Sequence, residues 1–209
     1  LEHAGVKVCS PRMLELLSER GLPVDRGRRI VRFPRTVIEE EVAKIPACFE
    51  VCDRSGRPAF SLGDGTPRIA AGHNAVFWLD SESGVTRPST CADVAVFSRI
   101  CQQLRHIDMI GIPVMPQDVP KRRATLLYGV RAAIENSDKP IFFSTDNAAV
   151  NRSCIELLRA AFEGDLDRQV YGISQLSPTS PLVWEAGVLE AIMDTVTTGV
   201  PLAILPEPN

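Results

Sequence analysis

The sequence has 209 residues, with 23 basic and 26 acidic side chains and a formal net charge of −3. This balance, and the absence of a basic run, argue against nucleic-acid binding. No apolar stretch reaches the roughly 18 residues of a membrane-spanning helix, and no signal-like segment opens the chain. The six cysteines are scattered through apolar surroundings, a usage typical of a reducing compartment. The composition therefore predicts a cytoplasmic protein without a membrane or nucleic-acid partner.

Residues 1–88 predict a small α+β region. The motif Ser10-Pro11 suits the start of a helix that Gly21 closes, and a second helix is expected over residues 34–46. The motif Thr90-Cys-Ala-Asp93 is a capping box, which predicts a helix that continues to about Leu104. Short strands are predicted over Arg29–Phe33, Phe49–Cys52, Arg68–Ala71 and Ala75–Leu79.

Four short apolar runs, each ending in polar groups, recur along the rest of the chain. They start at residues 109, 140, 170 and 201, so their spacings are 31, 30 and 31 residues. An apolar run without alternation suits a strand that is buried on both faces, as in a parallel sheet. The four predicted strands are Met109–Met115, Pro140–Asp146, Val170–Gln175 and Pro201–Glu207.

Stretches with helical spacing of apolar residues separate these runs, over 121–136, 151–162 and about 182–198. A strand and a helix in about 30 residues is the βαβ signature. Four such units without a Gly-rich phosphate turn favour an α/β fold of the (β/α)8 TIM-barrel type, with an open doubly wound sheet as the alternative. Because a full barrel takes about 250 residues, residues 89–209 are predicted to be the first half of a barrel in a truncated chain.

Four sequence blocks resemble, in order and spacing, those of the trimethylamine methyltransferase family. The resemblance extends along essentially all 209 residues. The blocks are Gly72-His-Asn-Ala-Val-Phe-Trp-Leu-Asp80, Gly84-Val-Thr-Arg-Pro88, Thr90-x-x-Asp93 and Ile107-Asp-x-x-Gly-x-Pro-Val-x-Pro-Gln-Asp-Val-Pro120.

The resemblance implies an N-terminal fragment of a corrinoid-dependent methyltransferase built on a barrel with an N-terminal extension. Such enzymes move a methyl group from a tertiary or quaternary amine, such as trimethylamine or glycine betaine, to the cobalt of a corrinoid protein, in one-carbon metabolism like that of methanogenesis. The cobalamin would belong to that partner, with no cofactor bound directly by this chain. Pyrrolysine, which some members carry, would fall beyond Asn209, so the resemblance identifies no catalytic residue here. The full-length protein is expected to be a homo-oligomer.

Polar side chains at the ends of the four runs are the candidate substrate-binding residues, since barrel chemistry lies at the C-terminal ends of the strands. The carboxylates among them could attract a methylated cation. In the alternative interpretation, the set caps the following helices, for which residues 144–147 and 177–180 are well suited. The candidates are Gln117, Asp118, Ser144, Thr145, Asp146, Gln175, Ser177 and Glu207.

Aromatic faces could add cation–π attraction of about 0.5–2 kcal/mol each, although core packing is the alternative role. Because Phe142 and Phe143 point to opposite sides of one strand, at most one can face the barrel interior. The turn residues His73 and Asn74 could form a ligand pair or could simply be solvated. Cys48 and Cys52 would share a strand face but lack the second pair that a zinc site needs. The aromatic candidates are Phe142, Phe143, Tyr171 and Trp184.

Two other functions stay open at this point. A pterin-dependent barrel methyltransferase would bind its methyl carrier directly in the barrel mouth. A non-catalytic protein could instead recognise betaines without turning them over.

Overall fold

A computed structural model describes residues 1–145 and 147–205 and the backbone of 207–208. Its helices are α1 Pro11–Glu19, α2 Arg35–Val42, α3 Cys91–Gln103, α4 Thr125–Asn136, α5 Ala148–Ala161 and α6 Ala186–Thr195, with a 3-10 turn at Arg122–Ala124. Its strands are β1 Val6–Val8, β2 Val24–Asp25, β3 Ile30–Val31, β4 Phe49–Cys52, β5 Pro58–Leu62, β6 Ala70–Ala71, β7 Phe77–Leu79, β8 Thr86–Pro88, β9 Met109–Gly111, β10 Ile141–Ser144, β11 Gly172–Leu176, β12 Thr179–Ser180, β13 Val183–Trp184, β14 Leu202–Ile204 and β15 Glu207–Pro208. A membrane-spanning helix is absent from these described ranges.

A parallel sheet with the spatial order β14-β11-β10-β9-β6 organises the chain. Each neighbouring pair in it runs parallel, so the prediction of four parallel strands from the 30-residue period is confirmed. The spatial order follows the chain order without reversal, and α3, α4, α5 and α6 pack side by side in sequence. Right-handed crossovers between successive neighbours place their helices on one face of a sheet. An open doubly wound sheet would instead reverse its strand order and carry helices on both faces.

The helix-facing side of this sheet carries the main apolar core. Along β10, the buried residues alternate with Phe142 and Ser144, which are half-buried on the opposite face. Ser144 is in register with Gln175 of β11, so both side chains face away from the helices. The buried side chains of the core include Ile110, Val130, Ile141, Phe143 and Leu158.

Strand β9 ends at Gly111, before the end of the predicted run at residue 115. Pro113 has no amide hydrogen, which prevents regular pairing on that side. The backbone nevertheless stays paired, because the carbonyls of Ile112 and Pro113 accept hydrogen bonds from the amides of Asn74 at 2.6 Å and Ala75 at 3.0 Å. The segment after β6 is thereby fixed beside the segment after β9.

The third predicted helix, over about 182–198, begins later than the sequence indicates. Val183 and Trp184 form β13, which pairs in parallel with β1 in a second sheet of order β13-β1-β3-β2. Their large side chains favour a strand, and Trp184 packs in an apolar cluster with Val6 and Leu14. Helix α6 therefore starts only at Ala186.

Most elements predicted for the N-terminal region are present, with narrower bounds. The helix after Ser10, the helix after Pro34 and strand β4 lie where the sequence places them. Strands β5 and β8 were missed, and each closes an antiparallel hairpin with the strand before it. The domain boundary at residue 88 stays a prediction, although β6, which precedes it, is hydrogen-bonded into the parallel sheet.

Lys139, which precedes β10, anchors the N-terminal end of the parallel strands. Its ammonium group donates hydrogen bonds to the carbonyls of Cys101 and Leu104 at 2.7 Å and of Ile107 at 2.5 Å. These carbonyls belong to the end of α3 and the turn after it, where a helix leaves acceptors unpaired. Desolvation by burial lowers the pKa of Lys139 from its usual value.

Candidate functional site

A cavity of about 630 Å³ opens at the C-terminal ends of the parallel strands. Four successive loops supply its walls, those that follow β6, β9, β10 and β11. Ligands of α/β proteins bind outside the carboxyl ends of the strands, and this volume lies within the usual range for small-molecule sites. We call it the rim cavity. Its lining residues are His73, Asn74, Met115, Arg122, Arg123, Thr125, Leu126, Ser144, Thr145, Asn147, Val150 and Ser177.

Three of the predicted site residues, Ser144, Thr145 and Ser177, line the rim cavity. Gln175 lies directly behind them, since its side-chain amide donates a hydrogen bond to the Ser177 hydroxyl at 3.2 Å. With only 3% of its surface exposed, Gln175 is a buried polar group that supports this wall. The structure thus brings together hydroxyl groups from the loops after β10 and β11.

Gln117 and Asp118 are exposed and lie outside the lining of the rim cavity. The Gln117 side chain donates a hydrogen bond to the Val76 carbonyl at 2.5 Å, which holds the loop after β9 to the β7–β8 hairpin. The Asp118 carboxylate accepts a hydrogen bond from the backbone amide of Cys91 at 2.9 Å. This contact places a negative charge at the N-terminus of α3, where the helix dipole favours it.

The thiol of Cys91 shares this corner with Asp118 and is not an activated nucleophile. Burial, and then the charge of Asp118, raise its pKa to about 11. The thiol therefore stays protonated at neutral pH, and only a thiolate would be strongly nucleophilic.

Two of the predicted carboxylates cannot be placed in the cavity. Asp146 lies outside the described residues. The side chain of Glu207 also lies outside them, although its backbone belongs to β15, which pairs in parallel with β12.

The loop between β10 and α5 caps the following helix as well as lining the cavity. The side-chain oxygen of Asn147 accepts hydrogen bonds from the amides of Ala149 at 3.0 Å and Val150 at 3.1 Å. The Thr145 hydroxyl accepts one from the Asn147 amide at 3.1 Å. Helix α5 consequently begins at Ala148, three residues before the predicted start. The capping role predicted for this loop is therefore confirmed for Asn147.

His73 and Asn74 belong to the rim cavity, although the sequence analysis left them outside the candidate site. Asn74 has a left-handed backbone with φ of 51°, and its side-chain amide donates a hydrogen bond to the Ser144 carbonyl at 3.3 Å. The preceding Gly72 approaches Pro113 so closely that an added Cβ would lie 2.5 Å from the Cα of Pro113. The signal in the sequence was the motif Gly-His-Asn directly after a short strand.

Arg122 and Arg123 were also missed, because residues 121–136 have the spacing of one continuous helix. In the structure a 3-10 turn precedes α4 and brings both arginines to the wall of the rim cavity. The available signal was the basic triplet Lys121-Arg-Arg between the end of a strand and the start of a helix.

The aromatic candidates serve mainly as packing residues, which was their alternative role. Tyr171 is fully buried, stacks on Phe162 with ring centroids 5.1 Å apart, and has a pKa raised by desolvation. Phe143 lies in the main core and Trp184 in the N-terminal cluster. Phe142 lies two residues before Ser144 in β10 and therefore shares its sheet face.

The described residues do not gather three acidic, cysteine or histidine side chains into a metal-binding cluster. Cys52 is 1% exposed, whereas Cys48 is exposed and precedes strand β4. The prediction that these two cysteines share a strand face is therefore wrong, since Cys48 lies outside the strand.

The part of the chain that matches known sequences includes every residue that lines the rim cavity. The sequence model of a family described as trimethylamine methyltransferase (MTTB) matches residues 1–207. The chain is also 24% identical over 208 residues to the trimethylamine methyltransferase MttB of Desulfitobacterium hafniense. This match covers 98% of the chain and 42% of that protein, so the chain spans less than half the length of the relative.

Proposed function

Because the chain belongs to the trimethylamine methyltransferase family, we propose that it is part of an amine:corrinoid protein methyltransferase. The methyl donor is a tertiary or quaternary amine, either trimethylamine or a betaine such as glycine betaine. The methyl acceptor is the cobalt of a corrinoid protein, which is a second substrate rather than a cofactor of this chain. The observation that carries the proposal is the family match over residues 1–207, which includes every loop of the rim cavity.

The parallel sheet is, in this proposal, the first part of a (β/α)8 barrel that follows the N-terminal region of residues 1–88. Its support is the sequential strand order, with neighbouring helices packed along one face. Among the residues that the structure describes, β14 and β6 are the edge strands of this sheet, and open edges invite further pairing. We place the complete protein in the cytoplasm as a homo-oligomer.

The reaction makes modest demands on the chain. The bond between the methyl carbon and the ammonium nitrogen breaks, and its electron pair stays on nitrogen, so the amine leaves neutral without an acid. The methyl carbon forms a new bond to cobalt(I), which supplies the electron pair. The protein must hold the ammonium group in line with the acceptor and exclude water, which is a matter of positioning.

The rim cavity is the proposed substrate site and the face on which the corrinoid protein docks. Ser144, Thr145 and Ser177 would contact the amine from the cavity wall. The two carboxylates Asp146 and Glu207 are proposed from the sequence alone as the groups that attract the cation. Gln175 would keep this wall in place through its bond to Ser177.

The test is a methyl-transfer assay with the enzyme purified from its host and a reduced corrinoid protein. Conversion of cob(I)alamin to methylcobalamin, followed by its absorption spectrum, is measured with a panel of methylamines and betaines. We expect methyl transfer only when the corrinoid is present. Transfer to tetrahydrofolate without corrinoid would replace this proposal by the pterin-dependent reaction, and binding without any transfer would indicate a betaine-binding protein.

A further inference from the structure

Two neighbouring cations stand in the wall of the rim cavity. The side chains of Arg122 and Arg123 both line it, and both residues are exposed. Neither guanidinium group makes a hydrogen bond or an ion pair with another residue that the structure describes. Their charges are therefore available to a ligand that enters the cavity.

Apart from the imidazole of His73, the other described polar groups of the lining are amides and hydroxyls, which supply hydrogen-bond donors without adding charge. The side-chain amides of Asn74 and Asn147 and the hydroxyls of Ser144 and Thr145 belong to the same cavity. An arginine guanidinium presents paired N–H donors that match the two oxygens of a carboxylate. Two guanidinium groups would repel a ligand whose only charge is an alkylammonium, whereas they would attract one that also carries an anion.

We propose that Arg122 and Arg123 form an anion subsite of the rim cavity that binds a carboxylate group of the ligand. This inference rests on the proposed function. It implies that the preferred methylated amine is a zwitterion, whose carboxylate binds the arginines and whose ammonium group lies toward the loops after β10 and β11. The 3-10 turn at Arg122–Ala124 is the structural cause, because it presents both arginines at the cavity before α4 begins. Simple trimethylamine would use only half of such a site.

The first experiment measures ligand binding to the purified full-length protein by isothermal titration calorimetry, without any methyl acceptor. Three probes of similar shape separate the charges: glycine betaine carries both, 3,3-dimethylbutanoate carries only the carboxylate, and tetramethylammonium carries only the cation. Glycine betaine and 3,3-dimethylbutanoate are the two probes that carry a carboxylate. We expect each to bind at least about tenfold more tightly than tetramethylammonium, which is the gain expected from a charge-assisted hydrogen bond. Inorganic phosphate is the fourth probe, and tighter binding of phosphate than of 3,3-dimethylbutanoate would overturn the carboxylate assignment.

The second experiment compares the double variant Arg122→Gln/Arg123→Gln with Lys121→Gln. Lys121 is the matched control, since it is the adjacent exposed cation and lies outside the cavity lining. The double variant should lose at least about tenfold in affinity for 3,3-dimethylbutanoate, whereas Lys121→Gln should stay within about twofold of the parent. A thermal unfolding curve for each variant confirms that the fold is retained, as expected for exposed side chains.

The outcomes separate this inference from the methyltransferase proposal. Unchanged carboxylate affinity in the double variant, or no binding of 3,3-dimethylbutanoate to the parent, overturns the anion subsite. Methyl transfer from subsaturating glycine betaine that is unaffected by the double substitution overturns it too, while the methyltransferase proposal stands. Arginine-dependent carboxylate binding without methyl transfer from any amine supports the subsite and overturns the methyltransferase proposal.

Discussion

The guanidinium group of Arg87 donates two hydrogen bonds to the Asp93 carboxylate, with N–O distances of 2.7 and 2.6 Å. The same carboxylate accepts hydrogen bonds from the backbone amide and the hydroxyl of Thr90, both at 2.8 Å. One acidic side chain therefore joins strand β8 to the first turn of α3 and completes the predicted capping box. These bonds, led by those from Arg87, hold the pKa of Asp93 at about 2.

Asp93 should make the stability of the protein sensitive to acid. Its folded-state pKa lies below the ordinary value of 3.8, so its contribution is fully present above about pH 4 and is lost as the pH falls through about 2. We expect Asp93→Asn to lower the free energy of unfolding by about 1–2 kcal/mol at pH 7. Urea unfolding of parent and variant at pH 7, 4 and 2.5 measures this difference, which should shrink at the lowest pH.

The control for this prediction is Glu135→Gln, which breaks an exposed ion pair with Arg131. Such surface pairs contribute little to stability, so we expect a loss within the error of the unfolding measurement. A difference for Asp93→Asn that stays constant from pH 7 to pH 2.5 would show that its charge does not matter.

Asp118 is expected to act on stability rather than on substrate affinity, because it binds the Cys91 amide and lies outside the rim cavity. Asp118→Ala should lower the free energy of unfolding by about 1 kcal/mol, as for loss of a side-chain cap, and Asp118→Asn should cost less. Chemical denaturation gives the stability, and calorimetry with glycine betaine gives the affinity. A fall in affinity of tenfold or more in Asp118→Asn, with stability unchanged, would restore Asp118 as a direct ligand of the cation.

Gly111 of β9 should be intolerant of any side chain. An added Cβ would lie 2.1 Å from the Gly72 carbonyl oxygen and 2.7 Å from that of Ala71, and both contacts are to backbone. Gly111→Ala should therefore cost about 3 kcal/mol or more, since strands β6 and β9 would have to separate. Thermal or urea unfolding measures the loss.

Gly65→Ala is the matched control for Gly111→Ala. Gly65 has a left-handed φ of 84° but nothing within 4 Å of an added Cβ. Its expected cost of about 1 kcal/mol reflects backbone strain alone. Equal losses for the two variants would argue against the close approach of β6 and β9.

A buried polar network between α5, β11 and α6 should be costly to break. The Asn151 side chain donates a hydrogen bond to the Thr195 hydroxyl at 2.7 Å and accepts one from the Ser174 hydroxyl at 2.8 Å. All three residues are fully buried. Asn151→Ala should cost about 2–4 kcal/mol, because it leaves buried hydroxyl groups without their partner. Chemical denaturation measures it against Ser153→Ala, an exposed hydroxyl on the same helix, for which a loss under about 0.5 kcal/mol is expected.

The strands of the parallel sheet could be predicted because burial on both faces leaves a continuous apolar run that depends little on its neighbours. The place of β6 could not, since a strand of two residues has no periodicity and its pairing of Ala70 with Met109 joins distant parts of the chain. For the same reason His73 and Asn74 were assigned to a turn rather than to the cavity. The bounds of α6 failed because a tertiary contact with β1 overrides the helical spacing at Val183.

The candidate site was also predicted only in part, because the sequence shows where strands end but does not show how the loops contact one another. Ser144, Thr145 and Ser177 could be placed at the rim because their position follows directly from strand ends. Local sequence does not distinguish a 3-10 turn from the first turn of an α-helix, so Arg122 and Arg123 were read as part of a helix surface. Which loop residues face the cavity depends on contacts between loops, and these are set only by the folded chain.

The three carbonyl bonds of Lys139 lie at the end of the strands remote from the rim cavity. The helix end that they fix is therefore independent of the side chains that would meet a ligand. During evolution, substitutions among the residues that line the rim cavity could change the preferred ligand while the position of α3 against β10 stayed the same. Lys139 thus contributes to evolvability, because it separates the part of the fold that must persist from the part that is free to vary.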